Sequence, residues 1–130
     1  MTKPATIAPI ATIEQFKRAL LLARDNKLPS THLAMLRAQC RASGSTITST
    51  QLAEAAEYQN YKAANLQYGT LAFNIAGHLG FTPEKRPDGT PRWWTTLSYS
   101  IEGSAEPETG HFQFIMRPEL VAALREMKWA

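Results

Sequence analysis

Side chains able to hydrogen-bond to an anionic or polar partner are concentrated in two short stretches of this sequence. The first stretch begins at Asn60 and contains Tyr61, Lys62, Asn65 and Gln67. Asn and Gln amides suit adenine, Lys suits guanine or phosphate, and Tyr could contact a thymine methyl group or a phosphate. These residue types also occur at the start of any solvated helix, so a purely structural role stays open.

The second stretch is KRPDGTPRWW, residues 85–94. Lys85, Arg86 and Arg92 flank a stiff turn that leads into two adjacent tryptophans. Cations bind phosphates, and aromatic rings stack on bases or enter grooves. Alternatively, one tryptophan packs inward and the other covers the edge of a sheet. The pattern fits binding and support of the fold equally well.

Patterns for other kinds of chemistry are missing from the sequence. The histidines His32, His78 and His111 have no metal-ligand spacing, and His32 is expected to be exposed in the first turn of a helix. The single Cys40 lies in an apolar helical pattern and is expected to be buried. No nucleophile motif or phosphate-binding glycine loop occurs. We therefore predict no catalytic residue, no metal site and no cofactor, and expect the protein not to be an enzyme.

Hydrophobic periodicity and capping residues predict the elements that position these stretches. Residues 1–11 are predicted to be a flexible N-terminal arm, and residues 12–130 a single domain. Predicted helices cover residues 13–25, 31–42, a short segment capped by Thr48, and 61–79 with Gly80 at its end. Residues 93–101 alternate, with Thr95, Leu97, Tyr99 and Ile101 on one face. Residues 111–116 also alternate, with Phe112, Phe114 and Met116 on one face. A last helix starts at Pro118, and Trp129 is expected to pack against its end.

This order predicts an α+β fold that is mainly helical. A helix-turn-helix core, from Thr48 into the helix that carries Asn65, is followed by a β-hairpin and a final helix, so the domain is winged-helix-like. The loop of the hairpin contains Glu102, Glu106 and Glu108. These carboxylates would repel a phosphate backbone, so the loop is not expected to face DNA.

The charge of the chain is uneven. The net charge is +3, whereas residues 1–47 carry seven cations against two carboxylates. We expect Lys17, Arg18, Arg37 and Arg41 from this segment to add phosphate contacts. No apolar run approaches the roughly 20 residues that span a bilayer, and the N-terminus lacks the apolar block of a signal peptide. The sequence predicts a cytoplasmic location without membrane contact.

Three segments resemble an uncharacterised bacterial domain associated with HNH endonucleases and modified-cytosine restriction proteins. They are ITSTQLAEAAEYQNYKAANLQYGTLAFNIAGHLGF, PDGTPRWWTTLS and FQFIMRPELVAALREMKW. The resemblance implies a DNA-recognition or partner-docking module. Because the HNH arrangement of histidine, asparagine and histidine is absent, only the accessory domain is implied, and no catalytic residue is transferred.

The sequence supports two hypotheses about function. The first is a nucleic-acid-binding domain of a bacterial defence, phage or mobile-element system, with double-stranded DNA as partner. Its predicted contacts are Tyr61, Lys62, Asn65, Gln67, Lys85, Arg86, Arg92, Lys17, Arg18, Arg37 and Arg41. The alternative is a protein-interaction module that inhibits or regulates a nucleic-acid-processing complex. The low net charge and the tyrosines and tryptophans favour this alternative, because aromatic residues often anchor interfaces.

Overall fold

The structure is a computed structural model that describes residues 8–100 and 109–130. Its helices are α1 (Ile13–Asp25), α2 (Ser30–Arg41), α3 (Ser49–Ala56), α4 (Tyr61–Leu79) and α5 (Pro118–Glu126), and its strands are β1 (Thr46–Thr48), β2 (Ser98–Tyr99) and β3 (Gln113–Met116). These elements confirm the predicted α+β class with mainly helical content. Most of the predicted arm and the acidic hairpin loop lie outside the described residues.

Local capping explains where the helices begin and end. Thr12 and Thr48 both form capping boxes, in which each threonine and the glutamine three residues later accept one another's backbone N–H groups. The side chain of Asn60 caps α4, and Gly80 ends it in the left-handed conformation with φ of 72°. Pro118 occupies the first turn of α5. The predicted bounds of α1 and α4 are confirmed, and those of α2 shift by one residue.

The three strands form one antiparallel sheet in the order β1-β3-β2. In the register, Ile47 of β1 lies opposite Phe114, and Ser98 of β2 lies opposite Met116. The strand before the helix-turn-helix therefore pairs with the second strand of the hairpin. The sequence analysis predicted the hairpin and the final helix, but not β1 or its pairing with β3.

The segment after the proline-rich loop differs from the prediction of a strand over residues 93–101. Residues 93–96 form a 3-10 turn, and only Ser98 and Tyr99 pair with β3. Thr95 and Leu97 donate backbone hydrogen bonds to Arg92 and Trp94, which turns the chain. The turn puts the Trp94 ring edge-on to Phe112 and Phe114 in the core. Aromatic packing thus overrides the local alternation.

One hydrophobic core joins the helices to the inner face of the sheet. Residues of α1, α2, α4, α5 and β3 are fully buried there, including Phe16, Leu20, Leu36, Leu71, Ile75, Phe114, Leu120 and Leu124. Phe112, Phe114 and Met116 share the buried face of β3, as predicted, and Cys40 is buried. Trp129 packs against the core at the C-terminal end, which confirms its predicted position.

A buried hydrogen-bond network links α4 to α2 and to the sheet. The Tyr68 hydroxyl donates to Oε1 of Gln39 at 2.6 Å and lies 2.6 Å from Oγ of Ser98. Nε2 of Gln39 donates to Ser98 Oγ and to the Phe114 carbonyl at 2.9 and 3.1 Å. Because Gln39 Oε1 can only accept, Ser98 must donate to Tyr68. Burial raises the pKa of Tyr68, which keeps the phenol protonated as a donor.

We predict that Tyr68→Phe destabilises the fold by about 1–3 kcal/mol, because it leaves buried groups of Gln39 and Ser98 without a partner. The control is Tyr58→Phe, since the Tyr58 hydroxyl is buried without a hydrogen-bond partner among residues 8–100 and 109–130. Urea unfolding should show a change below about 0.5 kcal/mol for this control. Equal decreases in the free energy of unfolding for both variants would show that the hydrogen-bond network adds no stability of its own.

Candidate interaction surface

The helix-turn-helix is built by α3, a four-residue turn and α4. The turn contains no glycine, and Glu57 takes the left-handed conformation with φ of 60° instead. Tyr58 donates its backbone N–H to Ala53, which closes the end of α3. Asn60 then starts α4 through a hydrogen bond from the backbone N–H of Ala63 to its side chain. The predicted helix-turn-helix is therefore present as a structural unit.

The predicted contact residues at the start of α4 differ in exposure. Lys62 is exposed, whereas Tyr61, Asn65 and Gln67 are half-buried. Oε1 of Gln67 lies 2.9 Å from Nε2 of His32 and accepts a hydrogen bond from it. The amide of Gln67 is thereby turned toward α2. Of these four residues, Lys62 has the most accessible side chain.

The position of His32 corrects the prediction that this residue is exposed. Its side chain is buried, with 2% of its surface accessible. α2 begins directly after Pro29, one residue earlier than predicted, and its first turn faces α4, where His32 meets Gln67. The tertiary contact between the two helices decides this burial, and no local sequence signal indicates it.

The cations of the 85–92 loop mostly support the loop itself. Nη1 of Arg86 donates to the Pro91 carbonyl at 2.9 Å, and Nη1 of Arg92 lies 3.5 Å from a Glu84 carboxylate oxygen. The backbone N–H and the hydroxyl of Thr90 donate hydrogen bonds to the Asp88 carboxylate and lower its pKa. These hydrogen bonds hold the turn between the two arginines. Lys85 is exposed. The loop is an ordered turn, with two of its three cations in internal contacts.

The cations of the N-terminal third lie beside the C-terminal end of the chain. Nζ of Lys17 contacts Glu126 at 2.7 Å, and Nε of Arg37 donates to the Trp129 carbonyl at 2.7 Å. Arg18 and Arg41 are exposed on α1 and α2. Two of the predicted phosphate contacts, Lys17 and Arg37, are thus engaged within the chain.

The structure also shows an apolar surface that the sequence analysis missed. Leu66 and Phe73 of α4 have 69% and 52% of their surface exposed, the highest values for large hydrophobic residues in the described part of the chain. They are seven residues apart and therefore lie on one helical stripe. A signal was available in the sequence, because the core stripe of α4 already contains Tyr68, Leu71 and Ile75. Leu66 and Phe73 are large apolar residues of α4 that fall outside this core stripe.

We call this surface the α4 face and define it by Leu66, Gly69, Thr70, Phe73 and Gly77, together with Trp93 from the loop. The Trp93 ring lies edge-on to Phe73, with centroids 4.8 Å apart. Open space surrounds the positions that a Cβ atom would take at Gly69 and Gly77. Among the residues of α4, only Lys62 carries a full charge at neutral pH. The α4 face is therefore apolar, nearly uncharged and open to close approach.

A cleft of about 320 Å³ continues from the α4 face toward the turn between α1 and α2. Phe73 and Gly77 line it on one side, and Lys27, Leu28 and Pro29 line it on the other. The exposed Phe73 ring thus lies between an open helix surface and a cleft. Such a boundary can receive a projecting side chain from another molecule.

Comparison with known proteins gives no assignment, because no family model, no curated protein and no solved structure matches this chain. The resemblance to the domain of HNH-associated proteins stays a prediction. In residues 8–100 and 109–130, His, Cys, Asp and Glu side chains form no group of three that could hold a metal ion. No helix in this part of the chain has the length and apolar character required to cross a bilayer.

Gly110 holds the hairpin against the helix-turn-helix. Its carbonyl accepts the backbone N–H of Thr50 at 3.1 Å, and a Cβ atom here would overlap the Thr50 hydroxyl and lie 3.4 Å from the Tyr61 ring. We predict that Gly110→Ala destabilises the fold by about 1–2 kcal/mol through this overlap. Gly77→Ala should instead be neutral or stabilising by up to about 1 kcal/mol, since the added methyl group meets open space in a helix. Thermal unfolding checks both variants, and a neutral Gly110→Ala would contradict this contact.

Proposed function

We propose that this chain is a non-enzymatic protein-interaction module that binds its partner through the α4 face. The observation that carries the proposal is the exposure of Leu66 and Phe73 on one stripe of α4. A pair of large apolar side chains in water is unfavourable, and covering them with another apolar surface yields about 25 cal/mol per Å². Burial against a protein partner would provide this gain.

The composition of the α4 face supports a protein partner over a phosphate backbone. Interface centres are depleted in charge and enriched in aromatic residues. The α4 face has Phe73 and Trp93 near its centre, and Lys62 lies at its N-terminal edge. A helix that reads the major groove uses early polar side chains that point outward. Gln67 and Asn65 are half-buried here, which leaves few groups for base contacts.

The partner that fits this shape is an amphipathic helix. Apolar side chains at helical spacing can straddle Leu66 and Phe73, and Gly69 lets the two backbones approach closely between them. The resemblance to an accessory domain of HNH-associated proteins favours a component of a nucleic-acid-processing complex as the source of that helix. We expect the encounter in the cytoplasm of a bacterium, where the chain would regulate or inhibit such a complex.

The test is affinity capture with the full chain from a nuclease-treated bacterial extract, followed by titration of the purified partner. Leu66→Ser combined with Phe73→Ser should weaken the affinity for the partner by about a hundredfold. Two central side chains are lost, and each contributes about 1.5 kcal/mol or more to binding. Leu21→Ser removes an exposed large hydrophobic residue from α1 and is the matched control. Circular dichroism must show that all variants remain folded.

The result that would sink this proposal is a partner that binds the double variant and the wild type equally well. A partner captured from a parallel untreated extract but lost after nuclease treatment would also contradict it. Loss of binding in Leu21→Ser alone would move the contact away from α4.

Duplex DNA is a second candidate partner. It is favoured by the winged-helix-like connectivity, together with Lys62 and Tyr61 in the first turn of the second helix. If α4 binds the duplex, affinity should fall steeply with salt, and Lys62→Ala should reduce the slope of log K against log salt by about one. Arg125→Ala is the control, because Arg125 is exposed on α5 and is not among the predicted DNA contacts. No binding at low salt, or a slope unchanged by Lys62→Ala, would rule out this mode.

A further inference from the structure

A second surface lies between α1 and the residues that follow α5. It is a groove of about 470 Å³. The apolar lining consists of Leu21, Met127 and Trp129, and the charged lining consists of Glu14, Lys17, Arg18 and Arg24. None of these residues belongs to the α4 face. We call this surface the α1 groove.

The end of the chain is folded back to complete the α1 groove. Lys128 takes the left-handed conformation with φ of 61°, an uncommon choice for a residue with a side chain. The backbone N–H of Trp129 then donates to Leu124 at 2.9 Å, and Nε of Arg37 donates to the Trp129 carbonyl at 2.7 Å. These hydrogen bonds hold the indole beside α1, where it is half-buried.

The cations of the α1 groove are unequally engaged. Glu126 and Glu14 hold Lys17 at 2.7 and 3.1 Å and raise its pKa. Within residues 8–100 and 109–130, the ion pair of Arg24 is with its neighbour Asp25, at 3.4 Å between exposed side chains, which is a weak interaction. Arg18 forms no hydrogen bond or ion pair within the described residues. The guanidinium groups of Arg18 and Arg24 are thus available to bind a ligand beside the apolar side chains of the α1 groove.

The spacing of these groups indicates the shape of a ligand. Arg18 and Arg24 are six residues apart on α1, about 9 Å along the helix axis. Leu21 lies between them in sequence, on the same exposed side. A helical segment that lies along α1 could place an apolar side chain against Leu21 and carboxylates about two turns apart against the arginines.

We infer that the α1 groove binds an acidic amphipathic helix of a partner protein. Charge complementarity selects the acidic segment, and bidentate arginine–carboxylate pairs would fix its register. A nucleic-acid strand fits less well, because it carries a phosphate at every nucleotide, whereas the α1 groove offers two available arginines on either side of the apolar Leu21. The inference concerns a different surface from the α4 face and does not depend on the proposed function.

The test is selection from a phage-displayed library of random 16-residue peptides on the full chain, followed by anisotropy titration of the enriched peptides. The expected peptides combine apolar residues at helical spacing with Asp or Glu. The double variant Arg18→Glu/Arg24→Glu should bind them about tenfold or more weakly. The matched control, Arg41→Glu/Lys85→Glu, has the same change in charge away from the groove and should change affinity by less than about twofold.

Enrichment of no peptide, or of peptides without acidic residues, would overturn the inference. Acidic peptides that bind the Arg18→Glu/Arg24→Glu variant at wild-type affinity would overturn it too. Loss of the same peptides in Leu66→Ser/Phe73→Ser would assign them to the α4 face instead. A 20-nucleotide single strand that binds the wild type but not the Arg18→Glu/Arg24→Glu variant, with no acidic peptide enriched, would identify the groove as a nucleic-acid site.

Discussion

The buried contact among Tyr68, Gln39 and Ser98 determines how α4 sits in this fold. A phenol, an amide and a hydroxyl are costly to bury unless each finds a partner, and here every member satisfies the others. The network favours one rotation of α4 about its axis, because a turn of the helix in either direction would leave Gln39 Oε1 and the Ser98 hydroxyl hydrogen without their Tyr68 partner inside the core. It also connects α4 to the carbonyl of Phe114 and therefore to the central strand.

The exposure of the α4 face follows from that rotation. Residues of an α-helix advance by about 100° each, so Leu66 projects roughly opposite Tyr68. Fixing Tyr68 inward thus turns Leu66 outward, and Phe73 is turned onto Trp93 at the surface. The 3-10 turn that follows the loop assists this arrangement, because it separates the two tryptophans. Trp94 fills the core against Phe112 and Phe114, while Trp93 remains at the edge of the apolar surface.

Elements governed by local interactions could be predicted from the sequence, and those governed by distant contacts could not. The capping boxes at Thr12 and Thr48 and the left-handed Gly80 involve neighbouring residues, so the helix ends were foreseeable. The prediction of a strand over residues 93–101 was wrong, because the packing of Trp94 against β3 favours a 3-10 turn over residues 93–96. The burial of His32 depends on Gln67, 35 residues away. The grouping of Lys17 and Arg37 around the C-terminal end likewise required the tertiary structure. The exposed pair Leu66 and Phe73 could have been noticed, because both fall outside the core stripe.

Photo-crosslinking decides whether the α4 face contacts protein, as we propose. The most direct measurement places the photo-crosslinking residue p-benzoylphenylalanine at position 66 of the full chain, with position 55 on α3 as the control. After irradiation in an untreated bacterial extract, we expect an adduct at position 66 that survives nuclease and yields peptides of a second protein in mass spectrometry, and no such adduct at position 55. An adduct at position 66 that nuclease removes would show that α4 contacts nucleic acid and would contradict the claim.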